Sequence, residues 1–334
     1  MTVNIDFYDD LEAVAGAADG ALDRGAEPSL YHRLSWFRLL AAHCPPAGRL
    51  LVARARSEGR SAWLFLALEG KRAAAFAAWY SLRVGISGDR QSDVMTALAK
   101  ALRDRGLASV DLSPLEDPEP LRAAFDTAGW VTRLDPKTGN WRIATEGMSF
   151  ADYWTSRPGQ LRSTFKRRAK AAALDIVIHD RFDAAAWADY EAVYRVSWKP
   201  EEGSFGFLRA LAEQEGAGGR LRLGLAYQEG APIAAQLWTI ENGEATIHKL
   251  AYAESAKTLS PGTILGQAMF RRAIDTDHVR VIDYGTGDDA YKADWMDERR
   301  QLWRLRAYNP RTIRGLFGAM RARVSTLAGR GGRR

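Results

Sequence analysis

One cysteine, Cys44, stands among 334 residues. That rules out a disulfide framework and any cysteine-built zinc cage. The five histidines, His32, His43, His179, His248 and His278, are scattered with no H-E-x-x-H or similar spacing, so a metal enzyme is not expected. Long apolar runs are also missing. The longest, around Ala73–Trp79, is too short to span a bilayer, and the opening residues lack a basic segment followed by an apolar core. The expectation is a protein of the reducing cytoplasm. Acid is absent from the last 24 residues, Arg311–Arg334, which hold seven arginines. The formal net charge is +6, so the rest of the chain sums to −1. A neutral body with a basic tail argues against a broad nucleic-acid footprint and for a local basic device.

What is present is a period. Leu221–Gln228, Ala231–Ile240 and Ala245–Tyr252 read as strands, separated by Glu229-Gly230 and Glu241-Asn242-Gly243, which are hairpin signals. A polar loop, Ala253–Gly262, leads to Thr263–Asp275, an amphipathic helix by its spacing. Val279–Tyr284 and Gln301–Tyr308 read as further strands. The first half repeats the order. Arg49–Arg56, Ser61–Leu68 and a longer Arg72–Val84 read as strands, Ser92–Arg105 as a helix and Ala108–Leu112 as a strand. Between the halves lie a helix over Phe150–Ala173, with a basic face of Arg157, Arg162, Lys166, Arg167, Arg168 and Lys170, and helices near Ala184–Trp198 and Phe205–Glu215. The expected organisation is an N-terminal half (1–145), a C-terminal half (146–309) and a tail (310–334).

Three antiparallel strands, a loop, a helix and a further strand is the order of the GNAT acyltransferase core. Lys257-Thr-Leu-Ser260-Pro261-Gly262 has the spacing of that fold's Gln/Arg-x-x-Gly-x-Gly/Ala cradle, with Lys257 and Ser260 departing from it. A tight loop at a helix N-terminus suits phosphate through backbone N–H groups and the dipole. The stretches HKLAYAES, LSPGTILGQAMFRRAI and VIDYGTGDDAYKADW resemble the BioF/CelD-like GNAT acyltransferases, relatives of the FemAB peptidyltransferases that often carry two GNAT-like halves. The basic helix also looks like that family's opening. The likeness covers about residues 150–308; the first half matches only in order of elements. It implies an α+β fold of tandem GNAT-like halves, each a mixed, mainly antiparallel sheet flanked by helices. It also implies an acyl-CoA donor without a metal, or aminoacyl-tRNA in the FemAB branch.

The resemblance implies donor contacts from Leu250, Ala251, Tyr252, Lys257, Ser260, Pro261, Gly262, Thr263 and Ile264, the strand N–H groups polarising the thioester carbonyl. Ser-Pro-Gly-Thr is also good helix-capping chemistry. His248 could accept the amine proton, or be a satisfied strand histidine with Lys249 on the opposite face by alternation. Tyr291 could protonate the leaving thiolate or simply pack. Lys292 could bind phosphate or acceptor, or be a surface charge. Asp283 is an orienting partner or a strand-end cap, and the basic helix a solvated face or an anion site.

In the tail, Ile313, Leu316, Phe317, Met320, Val324 and Leu327 form one apolar stripe among arginines, which favours an anionic lipid surface at the inner membrane. Some bacterial ceramide synthases are GNAT proteins of this kind, so the expected acceptor is a lipid amine such as a sphingoid base. The alternatives are a FemAB-like aminoacyl or peptidyl transferase on a cell-wall precursor, and a non-catalytic GNAT-fold protein in polysaccharide production.

Overall fold

The computed structural model describes residues 3–331, with side chains as far as residue 322. In chain order the strands are β1 (Asn4–Tyr8), β2 (Arg49–Ser57), β3 (Arg60–Glu69), β4 (Arg72–Ala75), β5 (Ser87–Gly88), β6 (Ser109–Leu115), β7 (Val131–Ala144), β8 (Asp175–His179), β9 (Leu221–Gln228), β10 (Ala231–Glu241), β11 (Glu244–Tyr252), β12 (Val281–Thr286) and β13 (Glu298–Tyr308). The helices are α1 (Leu11–Ala18), α2 (Leu34–His43), α3 (Ser92–Asp104), α4 (Glu119–Thr127), α5 (Phe150–Ser156), α6 (Gly159–Ala172), α7 (Ala184–Arg195), α8 (Phe205–Ala217), α9 (Pro261–Arg271) and α10 (Ile313–Gly331).

Two compact units result: Met1–Thr138 with Gln301–Arg334, and Gly139–Arg300. The linear division at residue 145 therefore gives way to a discontinuous one, because β13 pairs antiparallel with β6, Ala307 opposite Val110.

In the first unit the strand order is β1-β2-β3-β4-β6-β13, with β4 and β6 parallel and the other neighbours antiparallel. The second runs β7-β12-β11-β10-β9-β8, with β11 and β12 parallel. Each parallel pair is joined through a helix, α3 or α9, as parallel strands require. The turns explain the hairpins. Glu58-Gly59, Glu229-Gly230 and Asn242-Gly243 each place two successive residues at positive φ, the twist that suits a two-residue connection.

Alternation then sorts the faces of the second unit. Gly224, Ala234 and Trp238 face α9, and Gly224 is bare because a Cβ there would strike Leu265 and Met269. Tyr227, on the other parity, bonds Asp189 of α7. In the first unit Ala62, Leu64 and Leu66 join a core with Val94, Leu98 and Leu102 of α3, while Phe65 stacks on Phe37 of α2.

Two expected elements are shorter. The strand over Arg72–Val84 ends at Ala75, where the chain leaves the ladder and turns Phe76 and Tyr80 into the interior. The helix over Phe150–Ala173 is two, because Pro158 holds Arg157 extended (ψ 155°).

Candidate active site

β11 and β12 pair only over Glu244–Thr246 with Val281–Asp283. Beyond this, β11 continues alongside β10, and the parallel strands part. Asp283 sits where they divide. It accepts hydrogen bonds from Asn140 Nδ2 and the Gly285 N–H, both at 2.7 Å, and Arg142 Nε lies 3.6 Å away. These contacts make it a brace for the strand end, the capping alternative of the two expected for it.

On β11, the register with β10 passes from Ile247↔Trp238 to Lys249↔Leu237, leaving His248 as an extra residue. This bulge corrects the expectation that Lys249 faces away from His248. His248 Nε2 lies 2.9 Å from Thr239 Oγ1, and Thr239 shares the face of Leu237, the residue opposite Lys249. Both side chains therefore serve one face. Burial first, then the Lys249 ammonium, lowers the His248 pKa to about 4. The imidazole is neutral near pH 7.

Lys249 Nζ reaches the nearly inaccessible Glu202 carboxylate at 2.8 Å. Tyr194 of α7 adjoins this pair, its phenol pushed up by burial and by Glu202. Lys199 is half-buried, its Nζ 5.1 Å from the Trp198 ring centre. Burial lowers its pKa, with the Lys249 charge adding to the effect and Asp289 opposing it. No spacing motif marks Glu202, Lys199, Tyr194 or Thr239. Thr239 lies across the β10–β11 hairpin, while Tyr194, Lys199 and Glu202 come from about 50 residues earlier, where the local signal is a tryptophan-lysine pair just past a helix end.

Tyr291 lies on a 3-10 turn, Ala290–Asp294, with its ring edge-on to Tyr284 at 5.8 Å. Burial and then Asp289 raise its pKa, so the phenol keeps its proton. Lys292 is 4 % exposed and donates to Thr286 O at 2.6 Å, with Asp289 at 3.7 Å. It pins the turn to the end of β12, and is neither a surface charge nor open to an acceptor in this arrangement. Burial lowers its pKa.

The cradle residues come together at the start of α9, with fewer donors than expected. Ser260 takes the left-handed conformation (φ 55°) and makes no side-chain cap bond, so the hydroxyl-capping alternative does not describe it. Its N–H donates to Lys257 O, its carbonyl accepts from Thr263 and Ile264, and Pro261 has no N–H. The Gly262 N–H is left. A Cβ at Gly262 would lie 3.2 Å from the Tyr252 ring, which itself rests 4.1 Å, centre to centre, from Trp198. Ala251, Pro261 and Ile264 are buried, Leu250 packs against the α9 core, and Lys257 is exposed.

The sequence over residues 156–293 matches the model of the acetyltransferase (GNAT) domain. This stretch is a GNAT-type N-acyltransferase domain. No curated protein matches the chain significantly. Among solved structures, the fold is similar to that of FemX (TM-score 0.63, 9% identity, 90% of this chain and 96% of that one). It is also similar to the L-PGS of Bacillus licheniformis (0.58, 15%, 96% and 97%). A third likeness is the C-terminal domain of a putative lysylphosphatidylglycerol synthetase from Agrobacterium fabrum (0.54, 14%, 80% and 85%). At these identities the likeness is one of fold.

Proposed function

We propose that the protein moves an acyl group from a phosphopantetheine thioester such as acyl-CoA to the amine of a membrane lipid, a sphingoid base being the acceptor class. The parting of β11 from β12 supports the site. It leaves the edge of β11 beyond Thr246 unpaired by β12, with the neutral imidazole of His248 on that stretch of β11 and the protonated phenol of Tyr291 on the turn after β12. The acceptor nitrogen attacks the thioester carbonyl, the C–N bond forms and the C–S bond breaks. His248 takes the amine proton and Tyr291 gives one to the sulfur; each group is in the protonation state its role needs. The β11 backbone from Leu250 to Tyr252 and the Lys257–Ile264 loop are the donor's contacts in this reading, and Asp283 and Lys292 hold the surrounding backbone.

The observation that carries the lipid acceptor is α10. Gly315 and Gly318 let it lie against Asn309 O, Ala108 O and the Tyr308 ring, and Ala319 and Ala322 are buried. The large apolar residues point the other way: Ile313 is 78 % exposed and Phe317 56 %, with Leu316 and Met320 beside them and Arg314 and Arg321 also exposed. Val324 and Leu327 lie beyond the described side chains. A helix that docks through small residues and presents bulky apolar and basic ones suits an anionic bilayer surface. Among the described residues, no helix is long and apolar enough to cross a membrane.

FemX and the lysylphosphatidylglycerol synthetase likenesses favour a second reading, aminoacyl transfer to a lipid or cell-wall acceptor. The test is product analysis by mass spectrometry after incubation with hexadecanoyl-CoA and sphinganine in anionic liposomes, beside lysyl-tRNA with phosphatidylglycerol. N-hexadecanoyl sphinganine supports the first reading; lysyl transfer alone replaces it with the second.

A further inference from the structure

Helix α6 contains no aspartate or glutamate, and Arg162, Lys166, Arg167 and Lys170 are all exposed on it. Among the described residues no carboxylate pairs with any of the four; Arg162 Nε donates to the Arg157 carbonyl at 3.1 Å. Arg162 and Lys166, and Lys166 and Lys170, are four residues apart, where like charges repel. Among the described residues no carboxylate offsets that repulsion. The inner side of α6 is anchored, with Leu161 in the core beside Leu265 and Met269 of α9. The helix also packs against the 3-10 turn Glu254–Leu259, which leads into the α9 loop. A cationic face thus flanks the loop assigned to the donor phosphate.

The loop gives a second, independent observation. With Pro261 lacking an N–H and the Ser260, Thr263 and Ile264 N–H groups engaged, the backbone donor left between residues 260 and 264 is that of Gly262. One backbone N–H matches one phosphodiester oxygen, such as the one a phosphopantetheine arm carries.

We infer that the acyl donor arrives on an acidic carrier protein, its phosphopantetheine arm entering past the α9 loop while its acidic surface lies on α6. This rests on the reading of the protein as a thioester-dependent N-acyltransferase. The chemistry balances without a further reactant: the acceptor amine becomes an amide, and the carrier leaves with a free thiol carrying the proton the amine loses. CoA shares the same arm and serves as the minimal donor. Carrier protein is favoured over RNA by extent. Arg162 to Lys170 spans about 12 Å of helix, and the chain before the tail carries a net charge of −1. A polyphosphate backbone is expected to contact a much wider basic surface.

The test compares hexadecanoyl-loaded acyl carrier protein with hexadecanoyl-CoA, on the full-length protein and on a variant carrying Lys166→Glu, Arg167→Glu and Lys170→Glu. Carrier binding is followed by calorimetry, and transfer by product formation. The expected result is carrier binding that weakens steeply with salt, and a loss of about 30-fold or more in kcat/KM for the carrier thioester in the variant. The CoA thioester should change less than about twofold, which also shows that the variant folds. The Lys166→Gln, Arg167→Gln, Lys170→Gln variant should lose less than the reversal. Equal use of the carrier thioester by wild type and variant overturns the inference, as does competition at α6 by tRNA but not by carrier. Carrier binding without transfer upholds the dock and overturns the transferase reading. Turnover of CoA without carrier binding does the reverse.

Discussion

Replacing His32 with asparagine should flatten the dependence of stability on pH while leaving catalysis untouched. His32 is 7 % exposed and lies in the first unit among Tyr31, Trp36, Phe37, Phe76 and Arg83. Arg90 Nη2 lies 2.8 Å from its Nδ1. A guanidinium only donates, so Nδ1 accepts and the proton resides on Nε2, which has no partner among the described residues. Burial above all, then Arg90 and Arg83, lowers the pKa from 6.5 to about 3. The folded state therefore refuses a proton that the unfolded chain takes up below pH 6.5. Stability is fully present above that value and is lost as pH falls toward 3, by about 1.4 kcal/mol per unit. Between pH 7 and 4.5 the loss from this residue comes to about 2.5 kcal/mol. Asparagine offers Arg90 an acceptor and cannot titrate. Urea unfolding monitored by tryptophan fluorescence across this range should show the wild type losing about 2.5 kcal/mol more than His32→Asn, because the contribution of His248 cancels in the comparison. Parallel curves would refute the buried neutral imidazole. A drop in kcat in the variant would show that the surroundings of His32 take part in the reaction.

Four further outcomes are expected. His248→Ala and Tyr291→Phe should each lower kcat by about 10²–10⁴-fold with little change in donor affinity; wild-type rates across pH would make both structural. Gly262→Trp, which meets the Tyr252 ring, should raise the donor KM while circular dichroism stays native, and an unchanged KM would remove the α9 loop from the donor site. Leu316→Ser, Phe317→Ser and Met320→Ser together should abolish sedimentation with anionic liposomes at a stability cost within about 0.5 kcal/mol each; continued pelleting would move the membrane contact elsewhere. Gly224→Ala should destabilise by about 1–3 kcal/mol, since its Cβ strikes Leu265 and Met269; an unchanged urea midpoint would mean that α9 yields freely.

The hairpins of both halves were legible because Glu-Gly and Asn-Gly turns interrupt runs of strand-forming residues, and β9 matches its sequence-read limits. β7 was not. Its Val131–Ala144 stretch holds Asp135, Pro136 and Lys137, with no sustained apolar alternation, and its place beside β12 comes from tertiary pairing. The candidate site was legible only where it is local. The β11 histidine, the α9 loop and Tyr291 lie in one continuous stretch whose order of elements carries meaning. The bulge at His248 leaves no mark in composition, so alternation misplaced Lys249, and the Glu202 partner lies 47 residues away. Lys292 reads as a phosphate or acceptor contact or as a surface charge, because sequence gives no sign that its ammonium folds back onto Thr286. The α10 stripe has the opposite lesson. Periodicity found the apolar face, and the glycine-and-alanine face that docks had no claim to attention beside it.

The return of β13 to β6 sets a timetable for the nascent chain. Arg304 meets Asp111 across 193 residues, so β6 waits with one edge bare while the whole second unit is made. At about 5–20 residues per second the interval is roughly 10–40 s. The apolar residues of β6, Val110, Leu112 and Leu115, then lie beside unpaired backbone, the circumstance in which strand edges recruit one another. A premature stop between residues 116 and 300 releases, and a ribosomal stall there holds, a first unit that cannot close its own sheet, whatever the state of the second. The chain's last strand is thus the point at which the first half becomes a finished object, and chaperone demand should track the arrival of Gln301–Tyr308 rather than the completion of the acyltransferase domain.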